Sequence, residues 1–451
     1  MRISRREVLS GLSLIGLSAG LASRRGALAQ TGPGDYRALV CVFLFGGNDA
    51  NNMVVPVDAR YTEYATARRQ QSDGGLALPL EQLLPLAPAT GSAQYGFHPS
   101  IPELQQLWNT GALGVVFNVG TLVAPTNKAD DAAGRVPRPE SLMSHQDQQN
   151  QWQTSLPDRP SRTGWGGRLA DQVPAASLPP LVSVAGNVLF ALGERSHPLA
   201  VPLAGGAPFG VTGFDASTGS RAIRGVMDTL RGLDLDNALV RSVAGETAAA
   251  FAASGALSPV LSGTGSTTDG LFGDQPSVLG RQLLQVARII AARSVLGASR
   301  QIFFVALGGF DTHNDQLNRQ SPLLAQVSAA LSAFHAATVQ LGVDSQVTTF
   351  TLSDFGRTLA PASGGGSDHA WGNHHLVLGG AVVGRQTYGI FPDLSLGGPD
   401  DFTAQGRWIP TTSTDQYAST LARWFGVAPG DLASVLPNIG RFVSDDLGFL
   451  G

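Results

Sequence analysis

Ala38–Phe45 (ALVCVFLF) is followed directly by Gly46-Gly47-Asn48-Asp49, and the reading of this stretch decides the fold. Eight apolar residues without alternation are what a strand buried on both faces requires, and such strands belong to the centre of a parallel sheet. Three further runs share the pattern: Leu113–Val119 before Gly120, Gln301–Leu307 before Gly308-Gly309, and Gln346–Leu352 before Ser353-Asp354. Between them lie stretches of helical periodicity, at Ile101–Trp108, Leu279–Leu296, Leu323–Leu341 and Asp415–Phe425. Strand alternating with helix predicts an α/β fold with a doubly wound, mostly parallel sheet. Residues 165–275 break the rhythm with short apolar stretches and the low-complexity piece Ser262–Thr268. They read as an inserted cap region within a domain spanning 30–451.

Composition narrows the function classes. Of 451 residues 43% are apolar, enough for a sizeable core, and only 14% are charged against a usual ~25%. One Lys among 30 basic residues, with no basic stripe, leaves nucleic acid without support as a partner. A single cysteine, Cys41, excludes an intramolecular disulfide and a cysteine zinc site.

The N-terminus carries its own address. Ser4-Arg5-Arg6-Glu7-Val8-Leu9 is a twin-arginine pattern, Leu9–Ala22 is apolar but shorter than a membrane span, and Ala27-Leu28-Ala29 resembles a signal-peptidase site. Residues 1–29 are therefore expected to be a Tat signal peptide, and the mature protein to be periplasmic or secreted without a stable membrane span. Cleavage after Ala29 removes five Arg and one Glu and takes the net charge from −4 to −8, which gives no attraction to anionic lipid.

In open α/β sheets ligands bind beyond the carboxyl ends of the strands. Polar clusters collect at those ends here: Asn48-Asp49-Ala50-Asn51-Asn52, Asp311-Thr312-His313, Asp354-Phe355-Gly356-Arg357, and Asp368-His369 continuing to His374-His375. His145, in a Ser144-His145 pair opening a Gln-rich helical stretch, is a fifth histidine of this kind. Carboxylates and neutral imidazoles are the ligands of zinc and related cations. Four carboxylates (Asp49, Asp311, Asp354, Asp368) gathered at one edge repel one another unless a cation lies among them. The alternative is a hydrogen-bonded rim that fixes Gly-rich loops. Arg357 is placed either to grip an oxyanion with two parallel bonds or to pair with a nearby Asp.

FLFGGNDANN (43–52), SHQDQQNQWQT (144–154), TGWGGRLAD (163–171), GGFDTHNDQ (308–316), LSDFGRT (352–358) and SDHAWGNHHLVLGGAVVG (367–384) together resemble the bacterial family known as domain of unknown function 1501. That family is often Tat-exported and is grouped with the alkaline phosphatase/sulfatase-like superfamily. The resemblance implies an alkaline phosphatase-like sheet and a hydrolase of phosphate or sulfate esters, on a small or polymeric substrate, using divalent metal (Zn, Mn, Mg or Ca). It implies Asp49, Asp311, His313, Asp354, Asp368, His369, His374 and His375 as ligand candidates. Asp354 falls where an Asp-His pair is common, with Phe355 in place of the His, and His369, His374 or His375 could supply the missing imidazole. Ser144 is the candidate nucleophile at a helix start, with His145 as base or ligand and Arg357 beside the substrate; capping would also explain Ser144, and Thr121 competes with it. Ser155-Leu156-Pro157-Asp158-Arg159 matches the short pattern whose first residue becomes formylglycine in sulfatases, but the following Thr163-Gly164 falls one position short, and the match reads as coincidence. The rival reading is a catalytically degenerate secreted binding or assembly protein on the same scaffold.

Overall fold

The computed structural model describes residues 35–451 apart from 175–177, 207–217, 234, 263–265 and 275. The signal-peptide reading of residues 1–29 lies outside the described residues.

Among the described residues nine strands form one sheet: β1 (Arg37–Leu44), β2 (Leu113–Gly120), β3 (Leu181–Ser183), β4 (Leu199–Ala200), β5 (Arg300–Leu307), β6 (Val347–Ser353), β7 (Asn373–Leu378), β8 (Thr387–Tyr388) and β9 (Thr412–Ser413). The order is β8-β2-β7-β6-β1-β5-β3-β4, with β9 also pairing with β2. All pairs are parallel except those of β7, which runs antiparallel between β2 and β6. The sheet is thus mostly parallel, as the apolar runs require, with one strand reversed. That reversal corrects the reading of 368–375 as a single strand-end cluster: Asp368 and His369 lie in the loop, while His374 and His375 lie inside β7.

Alternation along β1 divides the core into two layers. Ala38, Val40, Val42 and Leu44 pack with Leu279, Leu283, Val286, Leu324 and Leu331 of α6 (Val278–Ala291) and α7 (Gln316–Gln340). Leu39, Cys41 and Phe43 face the other way, toward Trp152 of α2 (His145–Thr154), Trp165 of α3 (Trp165–Ala170) and Leu421 and Phe425 of α8 (Thr414–Phe425). Each fully buried aliphatic side chain stabilises this arrangement by roughly 1.5–3 kcal/mol. A third helix of the first layer, α1 (Pro102–Asn109), begins with Pro at its first position, where a missing N–H costs nothing. The α7 helix has the length and apolarity to cross a bilayer, yet Leu324, Val327, Leu331 and Phe334 are buried in the core.

The range 165–275 divides. Its first part supplies α3 and adds β3 and β4 to the sheet edge beside β5. Its second part is helical, with α4 (Thr218–Arg231) and α5 (Ala238–Ser262). On α4, Ile223, Val226 and Leu230 are exposed.

Candidate metal centre

β1, β5 and β6 are neighbours, so the turns after them meet at one edge of the sheet. Gly46 and Gly47 follow β1 with φ of 112° and 80°, a region L side chains avoid. A Cβ on Gly46 would meet the Asp311 backbone nitrogen at 2.4 Å, and one on Gly47 would meet the Phe355 ring at 2.5 Å. Glycine at both positions lets the three loops close on one another. The β5 turn contributes Asp311 and His313, the β6 turn Asp354, Phe355 and Arg357, the loop before β7 Asp368 and His369, and the start of α2 His145.

Four of these side chains face one another. Asp311 Oδ1 lies 3.0 Å from His313 Nε2, 3.4 Å from His145 Nε2 and 3.5 Å from His369 Nε2. His313 Nε2 and His369 Nε2 are 2.9 Å apart. The far nitrogens of His145 and His369 are held by acceptors, and that of His313 lies near a carboxylate. His145 Nδ1 is 2.7 Å from Asp354 Oδ2, His369 Nδ1 is 2.8 Å from the Met143 carbonyl, and His313 Nδ1 is 3.4 Å from Asp368 Oδ1. A carbonyl can only accept, so His369 carries its proton on Nδ1 and presents a lone pair at Nε2. The carboxylate partner imposes the same tautomer on neutral His145. His145 Nε2 is buried and has no hydrogen-bond partner. A proton or a cation must lie among these nitrogens.

This arrangement could hold a metal ion: potential ligand nitrogens converge while the opposite nitrogens of His145 and His369 are oriented by a carboxylate and a carbonyl. His145, Asp311 and His369 offer ligand atoms within 4.8 Å of one another, close enough to share one ion. Imidazoles with one carboxylate suit zinc and the neighbouring transition metals better than calcium, which takes six to eight oxygens.

The electrostatics follow from the contacts. The hydrogen bond to Asp354 raises the His145 pKa above that of a free imidazole, against the effect of burial. Burial lowers His369. For Asp311 burial pushes upward, but the Arg357 guanidinium, His145 and His313 outweigh it and hold the carboxyl below its usual range. Phe355 closes the floor, its ring 4.8 Å from that of His145 and 4.5 Å from that of His369.

Other sequence candidates stand apart from the ligand group. Asp49 is buried; it accepts from Arg68, Gln316 and the backbone N–H of Asn51, and caps the short helix Ala50–Met53. Arg357 is not free to grip an oxyanion. Its guanidinium donates to the carbonyls of Gly46, Gly47, Phe310 and Ser367 and to Asp311. It ties the loops together, as the ion-pair alternative had it. His374 Nδ1 accepts from the Asn118 N–H, and its ring packs on Phe117 and Phe391. His375 packs on Trp152 and Tyr417. Burial lowers their pKa values to about 4 and about 3, so both are neutral core histidines. Asp354 orients an imidazole rather than joining the ligand group, and Asp368 sits at the exposed rim beside His313.

Ser144 precedes α2, but its side chain makes no cap bond and has no hydrogen-bond partner among the described residues. The loop that presents it is strained: Ser141 and Met143 adopt φ of 47° and 75°. Thr121 is fully buried and donates to Gln148. Ser155 is buried in a left-handed conformation at the far end of α2, about 15 Å along the axis from His145 at 1.5 Å per residue, so the short sulfatase-like pattern lies away from the centre.

Sequence reading did not single out Gln149, Arg68 or the Met143 carbonyl. Gln149 donates to Asp354 Oδ2 at 2.8 Å, and its i+4 spacing from His145 on one helix face was the available signal. Arg68 and a main-chain carbonyl leave no such signal.

The chain belongs to the family described as Protein of unknown function (DUF1501), which it matches over residues 36–432. No curated protein matches it. Among solved structures it is similar to the C-terminal periplasmic domain of EcEptC from Escherichia coli, at 10% identity and a TM-score of 0.34, covering 92% of this chain and 91% of that one. It is similar to Ps i-CgsB in complex with k-i-k-neocarrahexaose, at 9% identity and a TM-score of 0.34, covering 91% and 77%. Alkaline phosphatase from the Antarctic bacterium TAB5 follows at 8% identity and a TM-score of 0.27, covering 89% and 98%.

Proposed function

We propose that the protein is an exported, metal-dependent hydrolase of phosphate or sulfate esters. The observation that carries the reading is the convergence of three imidazoles on Asp311 directly beside a strained loop with an uncommitted serine. Ser144 lies in sequence between Met143, whose carbonyl orients His369, and His145, one of the converging imidazoles. His145, Asp311, His313 and His369 would hold a divalent ion, which supplies Lewis-acid stabilisation of charge on an ester oxygen. The chain's own contribution is positional. Ser144, at the N-terminus of α2, offers an acceptor oxygen where backbone N–H groups favour a bound oxyanion. Asp354, Gln149 and the Met143 carbonyl fix the rings, and Arg357 fixes the loops. Zinc is the metal best matched to this donor set, and the twin-arginine pattern supports a periplasmic or secreted location.

The test is a panel of phosphate and sulfate esters assayed on protein loaded in turn with Zn, Mn, Mg and Ca. Turnover that is lost on chelation and restored by one of these ions supports the reading. Retention of metal without turnover on any ester favours a binding or assembly role instead.

A further inference from the structure

We infer that this centre binds a single divalent ion, and that two buried arginines hold the charge a second ion would otherwise balance. The inference rests on the metal reading of the site and adds its stoichiometry.

Three acidic groups lie around the turns after β1, β5 and β6; two are paired with a guanidinium and the third is hydrogen-bonded to an imidazole. Asp49 pairs with Arg68, and both side chains are fully buried. Asp311 pairs with Arg357, whose side chain is also fully buried. Asp354 pairs with the His145 ring. A guanidinium stays charged at any working pH, so the first two carboxylates are compensated before any metal arrives.

A second ion needs its own ligands, and they are spoken for. Asp49 already accepts from Arg68, Gln316 and the Asn51 N–H. Asp354 accepts from His145, Gln149 and the Gly46 N–H. On the Asp354 side the next residue is Phe355, whose ring lies against His145 and His369 and offers no lone pair. His374 and His375 face their own core layers within β7. Among the described residues one group of three or more potential ligands is close enough to hold an ion, and it is His145, Asp311 and His369. His313 joins it through its contacts with Asp311 and His369.

The experiment counts ions. Protein stripped with chelator is titrated with Zn(II) by calorimetry, and bound zinc is measured by elemental analysis after gel filtration. One ion per chain is expected, and His369→Ala should lose it. Asp49→Asn should retain it. Because that change leaves Arg68 buried and unpaired, the double variant Asp49→Asn/Arg68→Met, which removes both charges, serves where the single variant fails to fold. Two ions per chain, with one lost in the Asp49 variants, overturn the inference and leave the metal-dependent reading standing. No bound ion on the wild-type chain overturns the inference and the metal reading together.

Discussion

Replacing Asp354 by Asn isolates the part of the centre that orients a ligand without touching the ion. The change is isosteric, so it opens no cavity. Asp354 Oδ1 accepts from the Gly46 N–H at 3.2 Å, and Oδ2 accepts from His145 at 2.7 Å and Gln149 at 2.8 Å. An Asn keeps its oxygen toward Gly46 only by turning its amide NH2 toward two other donors. His145 answers by moving its proton from Nδ1 to Nε2, and the lone pair that faced Asp311 is lost. Removing an orienting partner of this kind weakens metal binding about 10- to 100-fold, or roughly 1.4–2.8 kcal/mol. The loss of the carboxylate also lets the His145 pKa fall back from its raised value. Zinc affinity is read by competition against a chromophoric chelator on stripped wild-type and variant protein, with the imidazole tautomer followed by nitrogen NMR. If folded Asp354→Asn binds zinc within twofold of wild type, the reasoning about ring orientation is refuted.

Three further outcomes are expected. Arg68→Met leaves Asp49 buried without its cation and should cost about 3–5 kcal/mol in urea unfolding; a loss below about 1 kcal/mol contradicts the account of that pair. Ser144→Ala should lower ester turnover by several orders of magnitude with metal content and melting temperature nearly unchanged, because the side chain makes no cap bond; unchanged turnover removes Ser144 from the mechanism. His374 stays neutral in the fold to about pH 4, whereas its unfolded counterpart protonates near 6.5, so its contribution is intact above pH 6.5 and is lost as pH falls toward 4. That loss is roughly 3 kcal/mol, and His374→Phe should shrink the stability difference between pH 7 and pH 4.5 even though it lowers stability at both; an unchanged difference rejects the assignment.

The sheet was legible because β1 and β5 carry near-continuous apolar runs and β6 is rich in β-branched residues, as strands buried on both faces require. β7 was not. It opens with Asn373, His374 and His375, and only its neighbours β2 and β6 make those side chains part of a core. The same ambiguity governs the site. An Asp after a strand looks alike in sequence whether it caps a helix, as Asp49 does, or faces a cluster of imidazoles, as Asp311 does. What separates them is the guanidinium of Arg68, nineteen residues away on a helix with no pattern that announces it. Asp311-x-His313 and His369 were visible as residue types at strand ends, but the carbonyl of Met143 that sets the His369 tautomer is main chain and carries no letter of its own.

That carbonyl has a thermodynamic consequence. Met143, Ser144 and His145 are consecutive, and one end of this tripeptide clasps His369 while the other carries a ligand. Occupancy of the centre and the conformation of the serine loop therefore share one equilibrium, and linkage makes the influence mutual. An ion that draws the Nε2 atoms of His145 and His369 together favours the strained loop. A ligand that engages Ser144 must in turn tighten the ion by the same factor, so metal affinity measured with and without a bound oxyanion reports how firmly the serine is held.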